Sequence, residues 1–283
     1  CSRMNSGCAS TESPIHEGEN KFDYHSKNTL NASYQPRPSS PTEFYDGGFK
    51  LTQNTTNLDI TRYFQKGNGK GFNVAFGAEF RNERYQIFAG EEASYKNYGA
   101  MVMTDQGLAL AASGAQGFPG FQPSDEIDER RSNFGAYADV EVDLNKQLSL
   151  TAAGRFENYS DFGNTINGKA SFRFALSPAV ALRGSLSTGF RAPSLAQIYF
   201  NSTITNFIAG KPVDNLIARN SGNVAKALGI PALKQETSQN ISLGVTLTPA
   251  NGFSLTLDAY QVRLKDRIIL TGVFSDEDDA IGS

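Results

Sequence analysis

Charged residues occupy every second position in several stretches of the sequence. Glu79, Arg81 and Glu83 follow one another in this way in FNVAFGAEFRNE, and Arg155 and Glu157 do so in LSLTAAGRFENY. Successive side chains of a β-strand point to opposite faces, so this spacing places the ionic groups of each stretch on one face. Carboxylates and guanidinium groups that share a face can form cross-strand ion pairs or bind a polar ligand. The pattern therefore predicts non-covalent binding chemistry.

Residues for catalysis or for tight metal binding are few. The sequence contains two histidines, His16 and His25, and their spacing with Cys1 and Cys8 matches no familiar zinc site. The GNGKG stretch at residues 67–71 lacks the spacing of a phosphate-binding loop and is interpreted as a hairpin turn. The sequence therefore predicts no enzyme, no resident metal and no cofactor. Cys1 and Cys8 could form a short disulfide in an oxidising compartment, or remain two unrelated thiols.

Composition excludes several classes of protein. The 283 residues include 27 Gly, 20 Phe and 11 Tyr but no Trp, which favours β-structure with many turns. The formal net charge of −3 gives no basic field for nucleic acid. No run approaches the roughly 18 apolar residues of a spanning helix. Membrane-spanning β-strands, which alternate only weakly over about 10 residues, remain compatible with this composition.

Alternation of apolar and polar side chains recurs along the chain and predicts eight β-strands. In INGKASFRFAL, for example, Ile166 and Phe172 alternate with Lys169 and Arg173. In the last predicted strand the apolar residues change phase near Tyr260, which indicates a bulge or the end of the membrane-facing part. The predicted strands cover residues 48–64, 72–88, 131–144, 147–161, 165–176, 180–192, 235–248 and 253–270.

The connections between these strands alternate in length. Two of them, residues 89–130 and 193–234, are each about forty residues long, which is uncommon in a compact soluble domain. Short turns at one end and long loops at the other are typical of an outer-membrane β-barrel. Two alternatives are a self-contained eight-stranded outer-membrane barrel and a soluble β-sandwich binding module. The short polar turns lie at residues 65–71, 145–146, 177–179 and 249–252.

Several stretches resemble a known family. The run GRFENYSDFGNTINGKASFRFALSPAVALRGSLSTGFRAPSLAQIYF at residues 154–200 is similar to the barrel of TonB-dependent outer-membrane receptors. LKQETSQNISLGVTLTP and LDAYQVRLKDRI look like the segments that follow it in such receptors, and YDGGFKLTQNTTNLDI and VAFGAEFRNERYQIFAGEEASY fit further upstream. The resemblance covers most of residues 45–270. Its signature string, GFRAP, is formed by Gly189, Phe190, Arg191, Ala192 and Pro193.

The resemblance implies a function and partners. Such receptors have a 22-stranded barrel with a plugged lumen. They take up a scarce nutrient, such as a ferric siderophore, cobalamin, haem or an oligosaccharide, with energy that an inner-membrane complex supplies through TonB. The expected partners are therefore outer-membrane lipid, TonB and its complex, and a small-molecule or metal-chelate ligand. The expected location is the outer membrane of a Gram-negative cell.

The chain departs from the family pattern because it has no recognisable plug, TonB box or terminal aromatic strand, so it looks like the middle of a receptor. We expect residues 1–45 to form an external loop region with a short strand around LNASY, and residues 46–283 to form part of the barrel. The predicted fold class is all-β, an up-and-down antiparallel transmembrane meander of about eight strands from a larger barrel. As an isolated chain it should form an open curved sheet with two unpaired edges.

The alternation of polar and apolar residues and the resemblance to TonB-dependent receptors together indicate the candidate site residues. On the polar face, the predicted lumen-lining residues are Glu79, Arg81, Glu83, Arg155, Glu157, Lys169, Arg173, Arg183 and Arg191. In related receptors, aromatic side chains of the external loops contact the substrate. By position, the predicted ligand-binding residues of the two long connections are Tyr95, Tyr98, Phe118, Phe121, Tyr199, Phe200 and Phe207.

Overall fold

The chain forms one large antiparallel β-sheet with loops packed at one end. The computed structural model describes residues 9–35, 39–66, 70–104, 107–208, 211–250, 252–272 and 274. Within these ranges the strands are β1 (Ala9–Glu12), β2 (Ile15–Lys27), β3 (Glu43–Lys66), β4 (Lys70–Phe88), β5 (Met101–Thr104), β6 (Gly107–Leu110), β7 (Ile127–Asp143), β8 (Leu148–Tyr159), β9 (Gly163–Ser177), β10 (Val180–Arg191), β11 (Ser202–Ile208), β12 (Lys211–Ile217), β13 (Glu236–Ala250) and β14 (Phe253–Lys265).

Ten of these strands belong to the main sheet, whose order is β1-β3-β4-β7-β8-β9-β10-β13-β14, with β2 also paired to β3. The strands β5 and β6 form a separate hairpin, and so do β11 and β12. From β3 onward, each strand of the main sheet pairs with the next strand of that sheet along the chain, which is the topology of a meander. The prediction of an all-β, open antiparallel sheet is confirmed, and each of the eight predicted strands corresponds to one of β3, β4, β7, β8, β9, β10, β13 and β14.

The N-terminal region differs from the predicted external loop. Residues Ile15–Lys27 form β2, which pairs with β3 from Ile15↔Thr56 to Lys27↔Glu43. No strand forms around LNASY, where Asn31 makes an isolated bridge to Ala115. The sequence did not predict β2 because most of its side chains are polar and exposed. Apolar and polar residues therefore do not alternate along it. The division into an external region, 1–45, and a barrel region, 46–283, stays a prediction.

Three short helices and a 3₁₀ turn lie in the two long connections. The connection between β4 and β7 contains α1 (Glu92–Tyr95) and a 3₁₀ turn at Pro123–Asp125. The connection between β10 and β13 contains α2 (Leu195–Tyr199) and α3 (Asn223–Ala227). No helix of the described residues is long and apolar enough to cross a membrane.

One face of the main sheet is apolar and exposed, and we call it the apolar face. Phe80 and Phe134 are cross-strand partners on this face, and each exposes about half of its surface, 48% and 47%. Ile166 is 79% exposed on β9. A β-sandwich would bury such a face against a second sheet. The exposed face therefore argues against the β-sandwich alternative and fits contact with lipid.

The height of the apolar face agrees with a bilayer. On β4, outward-facing side chains are apolar from Phe72 to Phe80, and the next ones in phase are Asn82 and Arg84. Eight residues at about 3.3 Å each span roughly 26 Å along the strand, which is close to the apolar band of about 25 Å in outer-membrane barrels. Since β4 is 19 residues long, its upper half extends beyond this band.

The strand β14 has no bulge near Tyr260. Its pairing with β13 is continuous from Thr237↔Lys265 to Leu247↔Leu255. The prediction of a bulge is therefore wrong. The other interpretation was that the membrane-facing part of the strand ends near Tyr260, and it agrees with a regular strand whose outward-facing residues become polar.

The sheet is open, with β14 at one edge and β1 and β2 at the other. A self-contained barrel would pair its first and last strands. The described residues therefore do not form the small closed barrel that was the other alternative.

Gly47 and Gly48 allow close backbone approaches on either side of β3, Gly47 to the end of β4 and Gly48 to β2. Gly47 has a φ of +88°, and a Cβ there would meet the Phe88 carbonyl oxygen at 2.3 Å. A Cβ on Gly48 would meet the Phe22 carbonyl oxygen at 2.1 Å. A Cβ on Gly18, which lies on β2 itself, would have no neighbouring atom within 4 Å.

We predict that Gly48→Ala lowers the free energy of unfolding by about 2 kcal/mol or more, because backbone must move to admit the methyl group. The matched control, Gly18→Ala, should change it by less than about 0.5 kcal/mol. The midpoint of thermal unfolding of the purified protein in detergent measures both. Equal midpoints for the two variants would contradict this account of the β2–β3 contact.

Candidate functional site

The opposite face of the sheet, which we call the polar face, carries a network of ion pairs. Register places Glu79, Gly135 and Glu157 side by side on β4, β7 and β8. Arg155 contacts the Glu157 carboxylate and reaches Glu79 at 3.4 Å. Arg81 is 2.7 Å from Glu79. A Cβ on Gly135 would lie 3.0 Å from Nη2 of Arg155, so glycine leaves the path for this guanidinium open.

Arg131 is the most enclosed cation of the polar face, with 5% of its side chain exposed. Its Nε and Nη2 donate to one carboxylate oxygen of Glu83 at 2.8 and 2.6 Å. Its Nη1 donates to the carbonyl oxygen of Pro193 at 2.6 Å and lies 3.5 Å from Asp161. The guanidinium also lies 5.3 Å from the ring centre of Tyr159. One side chain thus ties β4, the end of β8 and the GFRAP string together.

Sequence reasoning missed Arg131. Its position in the alternation could have identified it. Arg131, Asn133 and Tyr137 occupy odd-numbered positions, and in β7 these positions form the polar face. The stretch RRSNFG hides this signal because Arg130 and Arg131 are adjacent, and only one of two neighbouring arginines can face inward.

The GFRAP string ends β10 and begins the connection that folds over the sheet. Arg191 is the last residue of β10, and its Nη1 lies 3.7 Å from the Glu236 carboxylate. Pro193 is buried and gives its carbonyl to Arg131. Ser194 caps α2 by accepting a hydrogen bond from the Gln197 backbone at 3.1 Å, while the Gln197 side chain accepts one from the Ser194 backbone. The string therefore ends the strand and leads directly into a capped helix.

The helix α2 completes a small apolar core at this end of the sheet. Leu195 is 2% exposed and belongs to one buried cluster with Tyr85 and Ile87 of β4. Phe121 and Ile127, from the other long connection and the start of β7, complete the cluster. The two long connections are therefore anchored to the polar face, above the ion-pair network.

Register places all nine predicted lumen-lining residues on the polar face. Arg183 forms a two-point ion pair with Asp258, at 3.0 and 2.5 Å, across Gly244 of β13. Lys169 and Arg173 are exposed and make no ion pair within the described part of the chain. That these residues line a lumen stays a prediction.

The predicted ligand-binding aromatics fall into two groups. Phe121 is 4% exposed, and Phe200 packs against it with ring centres 6.2 Å apart, so both rings support the core. Phe118 is 37% exposed beside Tyr24, with ring centres 5.2 Å apart. Tyr95 is partly exposed in α1. The side chain of Phe207 lies outside the described residues, as do Cys1 and Cys8.

Tyr98 is partly exposed and forms a small cluster with two neighbours. Its ring lies edge-on to Tyr34 at 4.8 Å, and the Lys96 ammonium lies 5.4 Å from its centre. Lys96 is held by Glu92 at 2.6 Å. We call Tyr34, Lys96 and Tyr98 the mouth cluster. Aromatic faces beside a cation suit a flat, conjugated or anionic ligand.

Tyr199 lies in α2, near Arg131, and is partly buried. Burial raises the pKa of the Tyr199 hydroxyl, and the carboxylates of Glu129 and Asp161 raise it further. The hydroxyl therefore stays protonated at neutral pH and is able to donate a hydrogen bond.

Three buried polar atoms of the polar face lack a hydrogen-bond partner within the described residues. They are Oδ1 of Asn57, Nε of Arg81 and Oδ1 of Asn133. Such atoms usually bind water or another segment, because leaving them unpaired costs about 1–3 kcal/mol each. No cluster of His, Cys, Asp and Glu able to hold a metal ion occurs among the described residues.

Comparisons with known proteins agree with this architecture. Residues 15–280 match the sequence family described as "TonB dependent receptor-like, beta-barrel". The chain is 27% identical over 137 residues to the iron-regulated outer membrane virulence protein of Vibrio cholerae, and this match covers 48% of the chain and 19% of that protein. The chain therefore spans about a fifth of the curated relatives that it matches.

Two solved structures illustrate the similarity of fold. The siderophore receptor PirA from Acinetobacter baumannii superposes with a TM-score of 0.54 and 14% identity, covering 93% of this chain and 33% of that one. A mutant of the ferric enterobactin receptor PfeA from Pseudomonas aeruginosa gives a TM-score of 0.54 and 15% identity, with the same coverage.

Replacing Arg131 with Met should lower the free energy of unfolding by about 3–5 kcal/mol, because Glu83 would remain a buried carboxylate without its partner. Thermal unfolding of the purified protein in detergent measures the effect. Arg130→Met is the matched control, since Arg130 is exposed on the other face and should change stability by no more than about 0.5 kcal/mol.

A second variant separates charge burial from packing. Adding Glu83→Gln to Arg131→Met should recover part of the lost stability, because no ionised group is then left unpaired. An Arg131→Met variant that unfolds at the wild-type temperature would overturn the role given to this ion pair.

Proposed function

Because the chain belongs to the TonB-dependent receptor β-barrel family and is part of an outer-membrane protein, we propose that it forms a section of the wall of a ferric-siderophore uptake receptor. The family consists of transport receptors, so the chain is not an enzyme. The similarity to siderophore receptors and to an iron-regulated protein supports iron as the cargo. The iron chelate is substrate here, not a resident cofactor.

The mouth cluster is the observation that carries this proposal. The partly exposed rings of Tyr34 and Tyr98 meet edge-on with centres 4.8 Å apart, and the exposed Lys96 ammonium, which is also held by Glu92, lies beside Tyr98. A ferric chelate with catecholate arms offers flat aromatic groups, which the two tyrosine rings would complement. Phe118, which is 37% exposed beside Tyr24, is a second aromatic side chain available to a ligand. Binding would be non-covalent and reversible.

The polar face would then line the lumen and contact a plug supplied by the rest of the protein. The unpartnered atoms of Asn57, Arg81 and Asn133 support this, because a polar segment against the face would satisfy them. Exposed Lys169 and Arg173 would add cationic contacts to plug or substrate. Transport would use TonB and the inner-membrane complex, acting on the plug.

Uptake of iron-55 as ferric enterobactin tests the function. Cells that lack their own siderophore receptors and express the full-length protein should take up the label when TonB is present and should fail to do so without TonB. Ferric hydroxamate chelates and cobalamin serve as competing substrates. Uptake of cobalamin in place of any ferric chelate would overturn the proposed cargo while leaving the family intact.

The double variant Tyr34→Ala/Tyr98→Ala tests the mouth cluster. It should raise the half-saturating concentration of ferric enterobactin about tenfold, since each aromatic contact contributes roughly 0.5–1.5 kcal/mol. Tyr63→Ala, which removes a 39% exposed ring near the other end of β3, is the control and should leave binding unchanged. Equal affinity in the double variant and the wild type would place the ligand elsewhere.

A further inference from the structure

The apolar face changes character abruptly towards the upper ends of β10, β13 and β14. In register, the row Leu182, Val245 and Leu257 is wholly apolar. Four residues higher, the row Leu186, Ile241 and Gln261 is mixed. The next row is Thr188, Gln239 and Arg263, and above it Phe190 lies beside Thr237 and Lys265. On β13 and β14 this face therefore passes from hydrocarbon-like to polar and basic within two rows.

The wall has a groove at the same height because the ladder between β9 and β10 stops early. Pairing ends at Lys169↔Ser187, although both strands continue upward. Above that point the backbone N–H of Gly168 donates to Oγ1 of Thr188 at 3.0 Å. Beside this split lies an open groove of about 450 Å³, whose outward-facing lining includes Asn164, Ile166, Thr188, Gln239, Arg263 and Lys265.

The four strands around the groove carry no carboxylate on the face of these two cations. The strands β9, β10, β13 and β14 contain two acidic residues, Glu236 and Asp258. Asp258 lies on the polar face, where it pairs with Arg183, and Glu236 lies there with Arg191. Arg263 and Lys265 are an odd number of residues away from Asp258, so they point to the other face. Neither makes an ion pair within the described part of the chain.

Two other cations at the upper part of the same face are paired with carboxylates. Arg84 is paired with Asp128, and Lys50 lies 2.8 Å from Glu19. Arg130 is a further exposed cation on this face, beside the pair of Arg84 and Asp128, whereas the groove beside β13 and β14 brings two cations together with no carboxylate paired to either within the described residues. A face that contacts lipid below and carries unpaired cations above is complementary to an anionic amphiphile.

We propose that this groove binds the phosphorylated headgroup of a lipid of the surrounding outer membrane. The phosphate lies against Arg263 and Lys265, and the Gln239 amide and the Thr188 hydroxyl are further hydrogen-bond donors. The acyl chains run down the apolar rows that begin at Leu186 and Ile241. The site is on the lipid side of the wall, separate from the mouth cluster, and it depends on the membrane location and not on the transported cargo.

The experiment uses the full-length protein in phosphatidylcholine nanodiscs that contain one-tenth bis-phosphorylated lipid A. Native mass spectrometry measures how much lipid A stays bound. The double variant Arg263→Gln/Lys265→Gln should weaken retention of lipid A about thirtyfold. Each basic residue near an anionic lipid surface strengthens binding by about fivefold, and the double variant removes two of them. The control, Arg62→Gln/Lys146→Gln, removes two charges at the other ends of the strands and should retain lipid A as the wild type does.

Two further arms make the result decisive. Dephosphorylated lipid A should bind the wild type as weakly as bis-phosphorylated lipid A binds the double variant, and millimolar inorganic phosphate should not displace the bound lipid. Displacement by inorganic phosphate would mean an anion site without lipid specificity and would overturn the proposal. Equal retention by wild type and double variant, or an equal loss in the control, would also overturn it. Unfolding midpoints of both variants in lipid A-free discs verify that each is folded.

Discussion

The antiparallel hydrogen-bond ladder is the constraint on which the rest of the structure depends. Hydrocarbon offers no water to the backbone, so a membrane-spanning sheet must pair its N–H and C=O groups between neighbouring strands. The pairing of β3 with β4, from Gly48↔Phe88 to Lys66↔Lys70, is unbroken over the full length of β4. Such a ladder fixes side chains to one face or the other with a period of two. A single residue of slip would turn Phe80 inward and Glu79 into lipid.

This alternation explains why many ion pairs lie on one face of the sheet although no hydrophobic core surrounds them. The register of the strands brings together the side chains of Glu79, Arg81, Arg155 and Glu157. Their strands are not enclosed in the hydrophobic core of a globular domain. The dense packing is instead restricted to the end of the sheet, where Leu195 and Phe121 meet Tyr85. Arg131 joins the two regions, because its guanidinium contacts both the Glu83 carboxylate and the loop at Pro193.

The main strands could be predicted from sequence because a sheet with one apolar face records its period in hydrophobicity. The charged residues of β4 and β8 could be assigned to one face for the same reason. The strand β2 could not be recognised, since its side chains are mostly polar and exposed and its position depends on close backbone contact with Gly48. The burial of Phe121 and Phe200 was equally hidden. It arises from contacts between two connections that are far apart in sequence, and no local pattern reports such contacts.

The open edges determine how this sheet exists in a membrane. The strand β14 runs from Phe253 to Lys265 and is paired with β13 on one side, and about half of its backbone groups point away from β13. Each such group left unpaired in hydrocarbon costs several kcal/mol, more in total than a domain's net stability of about 5–15 kcal/mol. The sheet must therefore be continued by further strands wherever its edges lie in the bilayer. The solved structures to which it is similar are about three times longer, since the chain covers 33% of their length. Closing the sheet into a barrel would pair the free backbone groups of β14 and would also curve the polar face around a lumen. The same geometry would therefore meet the hydrogen-bond requirement of the edge and place the binding groups in the interior.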